Sequence, residues 1–296
     1  TSPSMRHLLL CRCHLGRKGA SNNEGDGPAL TIECGVNGIN VLGLATEVTK
    51  LMPDERRQLV TWLAKDGAGH VPLSVTIAGN SVKEQHDQIA HAEESGVDWL
   101  ILQPPLVGSY PAATYLEFFA RVAEVTDLPV AIQNAPAYLG RGLGDNDILW
   151  LAERCPNFGH IKSESSAIET AELVAKSPDN FTVLNGRGGL ELIDVLRAGA
   201  EGFVVAPDLV DPVVRAYEQW MRGELVAAEA TYESALPAIV FVMQSVEHLV
   251  TYGKRLMGKR AGIAIHDRAP AVPVTKFGLE LVRRYAGGGA RDPEVG

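Results

Sequence analysis

Seven short apolar runs, each followed by a stretch with the helical spacing of apolar residues, recur along residues 36–207. The runs are almost continuously apolar, as expected for parallel strands that are buried on both faces. In the first helical stretch, Leu59, Leu63 and their neighbours fall on one face behind Pro53, a residue suited to a first helical turn. The predicted strands are residues 39–43, 71–79, 98–103, 128–133, 159–162, 181–186 and 202–207.

This alternation fits both a barrel and an open doubly wound sheet. The open sheet usually carries a Gly-rich phosphate-binding turn after its first strand, and residues 43–47 contain no such turn. We therefore predict a TIM (β/α)8 barrel with a C-terminal helical extension, whose eighth strand lies within the irregular N-terminal segment. The predicted divisions are an irregular segment (1–34), the barrel (35–210), C-terminal helices (211–287) and a flexible tail (288–296).

Composition narrows the class of protein without identifying it. The 296 residues are 46% hydrophobic and 21% charged, which is typical of a globular protein, and the formal net charge of -9 argues against a nucleic-acid partner. No apolar run approaches the ~20 residues that span a bilayer, so we expect no membrane association and a cytoplasmic location.

The cysteines suggest neither a disulfide framework nor a metal site. Cys11, Cys13 and His14 lie close together, but no second ligand pair follows at the spacing of a zinc finger. Cys34 and Cys155 have no motif around them. We expect no bound metal and no cofactor.

Lys162 is the strongest candidate for chemistry. It ends a short apolar run, Gly159-His160-Ile161-Lys162, and polar residues and a helical pattern follow it. In a barrel this position lies at the C-terminal end of a strand, where active sites are built. Desolvation there disfavours the ammonium form, which would leave an amine able to form a Schiff base with a carbonyl substrate. A plain surface lysine at a strand end is the alternative.

Three stretches, in order along the chain, resemble the dihydrodipicolinate synthase and N-acetylneuraminate lyase family of Schiff-base aldolases. Residues 35–47 are similar to the first family signature, residues 128–136 to the strand that carries its tyrosine, and Ile161–Lys162 with Ser165 or Ser166 to its lysine signature. The likeness covers residues 35–285. It implies Lys162 as the Schiff-base former, a small 2-keto acid as the ligand, and a homotetramer or homodimer.

The first signature departs from the family pattern. The family usually has Gly-Thr-Thr-Gly-Glu or Gly-Ser-Thr-Gly-Glu, whose hydroxyls and backbone amides hold the carboxylate of the keto acid and help relay a proton. Here the stretch is Gly43-Leu44-Ala45-Thr46-Glu47. Leu44 and Ala45 would thus bind an anion through backbone N–H groups near a helix N-terminus, with Thr46 displaced by one position.

The second departure concerns proton transfer. The catalytic tyrosine of the family falls on Gln133, whose carboxamide does not titrate near neutral pH. Gln133 is left to orient a water or to bond the substrate. Proton transfer then falls to Glu47, Tyr110, Tyr138, a water or the substrate itself. The family's arginine for a distal carboxylate aligns roughly with Tyr138, so that contact is also lost.

These departures favour a lyase, an aldolase or a dehydratase, that acts on a sugar-derived 2-keto-3-deoxy acid through Lys162. Two alternatives stay open. One is dihydrodipicolinate synthase proper, which condenses pyruvate, and the other is a catalytically silent relative that binds a keto acid without turnover.

Three further candidates follow a predicted strand, Asn185, Gly186 and Arg187. Their amides would face the barrel mouth and cradle an anion, and Arg187 would bind a distal carboxylate or hydroxyls. A plain tight turn that needs glycine explains the same residues equally well.

Tyr110 and His160 are the last two candidates for a functional role. Tyr110 lies in a predicted strand–helix loop, and in the family a tyrosine near this position reaches across a subunit contact into a neighbouring site. His160 precedes Lys162 by two residues, so strand alternation puts both side chains on one face. His160 is then either a group that tunes the lysine or a core histidine.

Overall fold

Eight parallel strands close into a barrel in the computed structural model, which describes residues 9–12, 34–67 and 69–287. Each strand pairs with the next along the chain, and the last pairs with the first. The strands are β1 Leu9–Arg12, β2 Gly38–Val41, β3 Leu73–Ile77, β4 Trp99–Leu102, β5 Val130–Asn134, β6 Phe158–Ser163, β7 Thr182–Asn185 and β8 Gly202–Val205. The predicted TIM barrel is confirmed.

Helices connect the strands and then continue beyond β8. The barrel helices are α1 Pro53–Gly67, α2 Val82–Glu94, α3 Ala112–Ala123, α4 Pro136–Leu139, α5 Asp145–Arg154, α6 Ala167–Lys176 and α7 Leu192–Arg197. The C-terminal helices are α8 Val210–Met221, α9 Leu225–Val242, α10 Val246–His248, a π-helical turn Leu249–Gly253, α11 Lys254–Ala261 and α12 Lys276–Ala286. Short 3-10 helices are formed by Leu44–Thr46, Val48–Lys50, Arg187–Gly189 and Pro207–Leu209.

The eighth strand is β1, and it lies within the N-terminal segment. Its backbone pairs Leu10 with Gly38 of β2 and Leu9 with Phe203 of β8. The barrel therefore begins ahead of the boundary at residue 35 that we predicted, because a four-residue strand among basic and cysteine residues gives no readable hydrophobic period. The predicted flexible tail, 288–296, lies outside the described residues.

Two layers of apolar side chains are separated by the strands. The larger layer joins strand residues to helix residues, and so lies between the barrel and its outer ring of helices. The smaller contains only strand residues and fills the barrel interior: Trp99, Ile101, Ala131, Leu184 and Val204. Register pairs Gln133 with Lys162, and Lys162 with Leu184, which places both polar side chains on this inner face.

Helix α9 is long and apolar enough to cross a membrane, judged by length and composition alone. It packs along α8 and buries Ala228, Ala235, Ile239 and other residues inside the protein. Only 28% of this helix is buried, and a single helix that passes the test is weak evidence for a membrane span.

Candidate active site

Lys162 lies at the C-terminal end of β6, inside the barrel, with its side chain fully buried. Its Nζ donates to Oε1 of Glu164, two residues further on. A buried ammonium is costly unless it is paired and hydrogen-bonded. The Glu164 carboxylate therefore stabilises Lys162 in its buried position. The lysine is therefore not a surface residue at a strand end.

Glu164 is held by donors from three different strand ends. Besides Lys162, Nε2 of Gln133 donates to Oε1 at 2.9 Å, and the backbone N of Arg187 donates to Oε2 at 2.6 Å. Glu164 is buried, with 8% of the residue exposed, and it lines the cavity at the barrel mouth. The sequence patterns assign no role to Glu164. They do show that Glu164 lies two residues after Lys162. In an extended chain this spacing puts both side chains on one face.

Gln133 takes part in a buried chain of amides. Its Oε1 accepts from Nε2 of Gln103 at 2.7 Å, and the backbone oxygen of Gln103 accepts from Nε2 of Gln85 at 2.9 Å. With its oxygen used in this way, Gln133 presents its NH2 group to Glu164. The side chain therefore fixes a carboxylate rather than titrating itself.

The loop after β7 supplies the other support of Glu164. A Cβ atom at Gly186 would lie 2.4 Å from Oε2 of Glu164, so only glycine allows this approach. Arg187 adopts a φ of 47°, a left-handed conformation that costs a non-glycine residue about 1 kcal/mol or more. Asn185 is buried, and its Nδ2 donates to the backbone oxygen of Ser165 at 3.0 Å. The three residues predicted here thus lie together, with Asn185 bracing the loop.

A small cavity opens at this end of the barrel. Its polar wall contains Glu164, Tyr138 and Arg187, and its other walls come from the loops after β2 and β8 and from the C-terminal helices. Burial and the nearby Glu164 raise the pKa of the Tyr138 hydroxyl, against a hydrogen bond and charge from Arg187. The guanidinium of Arg187 also forms an ion pair with Glu191. The remaining lining residues are Leu44, Ala45, Gly188, Val204, Ala206, Met243, Val246 and Leu249.

The loop after β2 brings the predicted anion-binding residues to this cavity. Leu44, Ala45 and Thr46 form a 3-10 helix, whose first N–H groups have no partner within the helix. Leu44 and Ala45 line the cavity, while Thr46 is buried, with an Oγ1 that has no hydrogen-bond partner among the described residues. Thr46 is not among the residues that line the cavity.

Glu47 points to the C-terminal helices instead. Its carboxylate accepts from Nζ of Lys50 at 2.7 Å and from Nζ of Lys254. Burial raises the pKa of the Glu47 carboxyl, but the hydrogen bonds and charges of Lys254 and Lys50 outweigh it and bring the pKa below its usual value. Glu47 is therefore a structural ion pair that ties the first loop to α11, and it does not line the cavity.

The structure does not bring Tyr110 to the cavity of its own chain. The side chain is 49% exposed and packs edge-on against Tyr115, with ring centroids 5.9 Å apart. His160 faces the lower part of the barrel, where its ring lies edge-on to Trp99 at 6.4 Å. Burial lowers the pKa of His160 to about 4, so the ring is neutral near pH 7. His160 is thus a half-buried histidine that packs on Trp99 and does not line the cavity.

Among the described side chains, no group of three or more His, Cys, Asp or Glu residues is arranged to hold a metal ion. The side chains of Cys11, Cys13 and His14 lie outside the described part. Cys155 is a free thiol.

A barrel with a buried lysine at the end of β6 and a helical C-terminal extension defines a class of lysine-bearing (β/α)8 proteins. Residues 29–285 match the model of the dihydrodipicolinate synthetase family. The chain belongs to this family, as its signatures predicted, and it is an enzyme of the lyase type that the family comprises.

Relatives and solved structures agree with this membership. The chain is 26% identical to 4-hydroxy-tetrahydrodipicolinate synthase of Methanopyrus kandleri over 73% of either chain. It is 28% identical to L-2-keto-3-deoxyarabonate dehydratase of Azospirillum brasilense over 70% of this chain and 69% of the other. YagE of E. coli K12, a prophage protein of the same family solved with pyruvate, superposes with a TM-score of 0.85 at 20% identity, covering 95% and 97% of the two chains. At that identity the superposition shows the fold.

Proposed function

We propose that this protein is a Schiff-base-forming lyase that acts on a 2-keto acid through Lys162. The observation that carries the proposal is the position of Lys162, fully buried at the C-terminal end of β6 and joined through Glu164 to the wall of the cavity. An amine in that place is shielded from water, and it lies where barrels keep their reacting groups.

The covalent bonds of the reaction form between the amine and the keto acid. Nζ attacks C2 of the substrate, the oxygen of the carbinolamine leaves as water, and a C=N bond to Lys162 remains. The positively charged nitrogen withdraws electrons and makes the C3–H bond acidic. From that state, either a hydroxyl leaves from C4 or the C3–C4 bond breaks, which gives the dehydratase and the aldolase outcomes.

We infer that the substrate carboxylate binds to the loop after β2. The N–H groups of Leu44 and Ala45 begin a 3-10 helix at the cavity wall, an arrangement suited to an anion. Side-chain hydroxyls of the usual family pattern are absent from these two positions. We therefore expect binding of the carboxylate to depend on the backbone, with weaker discrimination than in relatives that have the hydroxyls.

A sugar-derived 2-keto-3-deoxy acid fits the far side of the cavity better than a substrate with a second carboxylate. Tyr138 stands where the synthase family has its arginine, and Arg187 is already paired with Glu191. A neutralised guanidinium and a phenol offer hydrogen bonds to hydroxyl groups without a strong net charge. The dehydratase relative named for a 2-keto-3-deoxy sugar acid supports this choice over the synthase proper.

The second candidate function is that of a catalytically silent protein, which binds a keto acid without turnover, and it is favoured by the burial of Lys162. Lys162 has no exposed surface, and Glu164 stands between its Nζ and the cavity. A keto acid reaches the amine only when the carboxylate turns aside or accepts a proton and yields. A protein that never makes this movement would bind keto acids without forming an adduct.

Borohydride trapping tests the proposal. The protein is incubated with pyruvate or a 2-keto-3-deoxy sugar acid and reduced, and the mass shift is located by peptide mapping. We expect a single adduct on Lys162, its loss in Lys162→Met, and its retention in Lys176→Met, a control at an exposed lysine on α6. A keto-acid screen, scored separately for water loss and pyruvate release, then assigns the reaction. An absence of any adduct on Lys162 rejects the Schiff base.

We further propose a cytoplasmic location and assembly as a homotetramer or homodimer. The free thiol of Cys155 is consistent with a reducing compartment. Tyr110 and Val107, 49% and 67% exposed, present an apolar loop that a second copy would cover. Light scattering coupled to gel filtration measures the mass, and a Tyr110→Glu variant is expected to lower it if this loop lies in the contact.

A further inference from the structure

Glu164 occupies a place that no other titratable group of the described site shares. It contacts the amine of Lys162 through Oε1, and it also forms part of the cavity wall. A group in both positions can exchange a proton with the lysine on one side and with a bound substrate on the other.

We propose that Glu164 is the general acid–base catalyst of this enzyme and does the work of the tyrosine that is missing at position 133. The inference rests on the proposed function, because it assumes a keto acid bound at Lys162. It assigns the proton transfers to Glu164, which lies two positions after the lysine and directly follows β6.

The other candidates are less suitable for the task. Gln133 does not titrate, and its NH2 group is committed to Glu164. Glu47 is neutralised by Lys50 and Lys254 and does not line the cavity. Tyr138 does line it, but burial raises the pKa of its hydroxyl, which makes it a weaker acid at neutral pH. Tyr110 is outside the cavity of its own chain.

Schiff-base formation needs no proton donor or acceptor other than Lys162, Glu164 and the substrate. Transfer of one proton from the ammonium to the carboxylate gives a neutral amine and a carboxylic acid, with no change in the net charge of the buried pair. The amine then attacks C2, the C–N bond forms, and the carbonyl oxygen takes the proton from Glu164. The nitrogen returns a proton to the carboxylate, which passes it to the carbinolamine hydroxyl. Water leaves, and Glu164 is again a carboxylate beside a protonated C=N bond.

The same carboxylate serves the second half of the reaction. It removes a proton from C3, whose electron pair forms the enamine as the C=N electrons return to nitrogen. For water loss, Glu164 then gives this proton to the C4 hydroxyl as the C4–O bond breaks. For cleavage, it instead takes the proton of the C4 hydroxyl while the C3–C4 bond breaks, and later returns it to C3. Each route leaves Glu164 ready to help hydrolyse the Schiff base.

Two hydrogen-bond donors hold the Glu164 carboxylate in position for these proton transfers. Gln133 donates to the oxygen that faces Lys162, and the backbone N–H of Arg187 donates to the other oxygen. Both donors favour the charged form, and neither can take up the proton itself. Gln133 is thus a positioning residue, which gives a physical reason for an amide at this place.

Deuterium exchange at C3 of pyruvate tests the assignment without knowledge of the natural substrate. The wild-type protein in D2O should exchange the methyl protons of pyruvate, as followed by NMR, and borohydride should trap an adduct on Lys162. In Glu164→Gln, we expect the exchange rate per trapped adduct to fall by about 100-fold or more, the usual size of a general acid–base contribution. Glu164→Asp, which keeps the carboxylate at a shorter reach, should lie between the two.

The control is Glu169→Gln. Glu169 is in the first turn of α6, where it caps the helix through Ser166, and it does not line the cavity. The exchange rate of this variant should therefore match the wild type. Formate added to Glu164→Ala should restore part of the exchange, because a free carboxylate can then enter the vacated space.

Four outcomes separate the proposals. A wild-type adduct with exchange that depends on Glu164 supports the assignment. A wild-type adduct with unchanged exchange in Glu164→Gln overturns it and leaves the Schiff base intact. A variant that loses adduct but keeps the exchange rate per adduct also overturns it, since Glu164 would then only position Lys162. An absence of adduct in the wild type removes the proposed function as well.

Discussion

Gly186 lies so close to Glu164 that a Cβ atom built on it would fall 2.4 Å from Oε2 of the carboxylate. The neighbouring Arg187 donates its backbone N–H to the same oxygen at 2.6 Å. The loop after β7 therefore sets the position of the group that meets the lysine on β6. A barrel brings such loops together although the residues are far apart in the sequence.

Gly186→Ala should displace the Glu164 carboxylate, because its three donors leave it no equivalent place to move. We expect the pyruvate exchange rate to fall about 10-fold or more, while the circular dichroism spectrum is preserved. Gly159→Ala, on the same strand as Lys162, is the matched control, since its Cβ would meet nothing closer than 4.0 Å. Equal exchange rates in the two variants would contradict the steric argument.

Gln133→Leu removes the link between Gln103 and Glu164. The NH2 group of Gln103 then loses its acceptor inside the barrel, and an unsatisfied buried donor costs about 1–3 kcal/mol. We expect the free energy of unfolding in urea to drop by that amount, with a lower exchange rate, because Glu164 loses one of its donors. An unchanged unfolding midpoint would show that a water or a rearranged side chain satisfies Gln103.

The fold was accessible from the sequence, and the details of the site were less so. Buried parallel strands have a continuous apolar signal, and this signal alone places Lys162 at a strand end. The apolar signal does not reveal β1, because this strand is only four residues long. This signal does not reveal the contacts of Glu164 either, because they join the ends of three strands that sequence periodicity cannot align. The direction of Glu47, towards Lys254, likewise depends on where the C-terminal helices pack.

His160 should make the protein less stable at mildly acidic pH. Burial lowers the pKa of His160 to about 4, whereas an unfolded histidine titrates near 6.5. Between these values the unfolded chain binds more protons, so the free energy of unfolding falls as the pH drops through this window, by at most about 3 kcal/mol. His160→Phe should lose this dependence in urea titrations from pH 7 to pH 4. His70→Asn, at an exposed position after α1, controls for the loss of a histidine elsewhere.

Asp208 acts in the opposite direction over the same range. Burial raises the pKa of its carboxyl to about 6, so the folded chain binds more protons than the unfolded one between pH 4 and pH 6. The free energy of unfolding therefore falls as the pH rises through this window. Asp208→Asn removes the buried charge and should stabilise the protein by about 1–3 kcal/mol at pH 8, with little effect at pH 4. Asp127→Asn, in an exposed loop, is the control, and a variant equally stabilised at pH 4 would contradict the linkage.

Lys254→Met tests whether the ion pair with Glu47 fixes the first loop. Both side chains are largely buried, with 8% and 11% exposure, so removal of the lysine leaves a carboxylate away from water with Lys50 as its remaining partner. We expect a loss of about 3 kcal/mol in the free energy of unfolding, as for other broken buried pairs.

Lys83→Met breaks an exposed pair with Asp87 on α2, where the side chains are 79% and 52% exposed, and should cost less than about 1 kcal/mol. Because Glu47 follows the residues that line the cavity, Lys254→Met should also raise the pyruvate concentration needed for half-maximal trapping, whereas Lys83→Met should not. If both variants lose the same stability and trap pyruvate equally well, the pair has no special role in holding the loop, and the C-terminal helices would be attached to the barrel mouth by apolar packing alone.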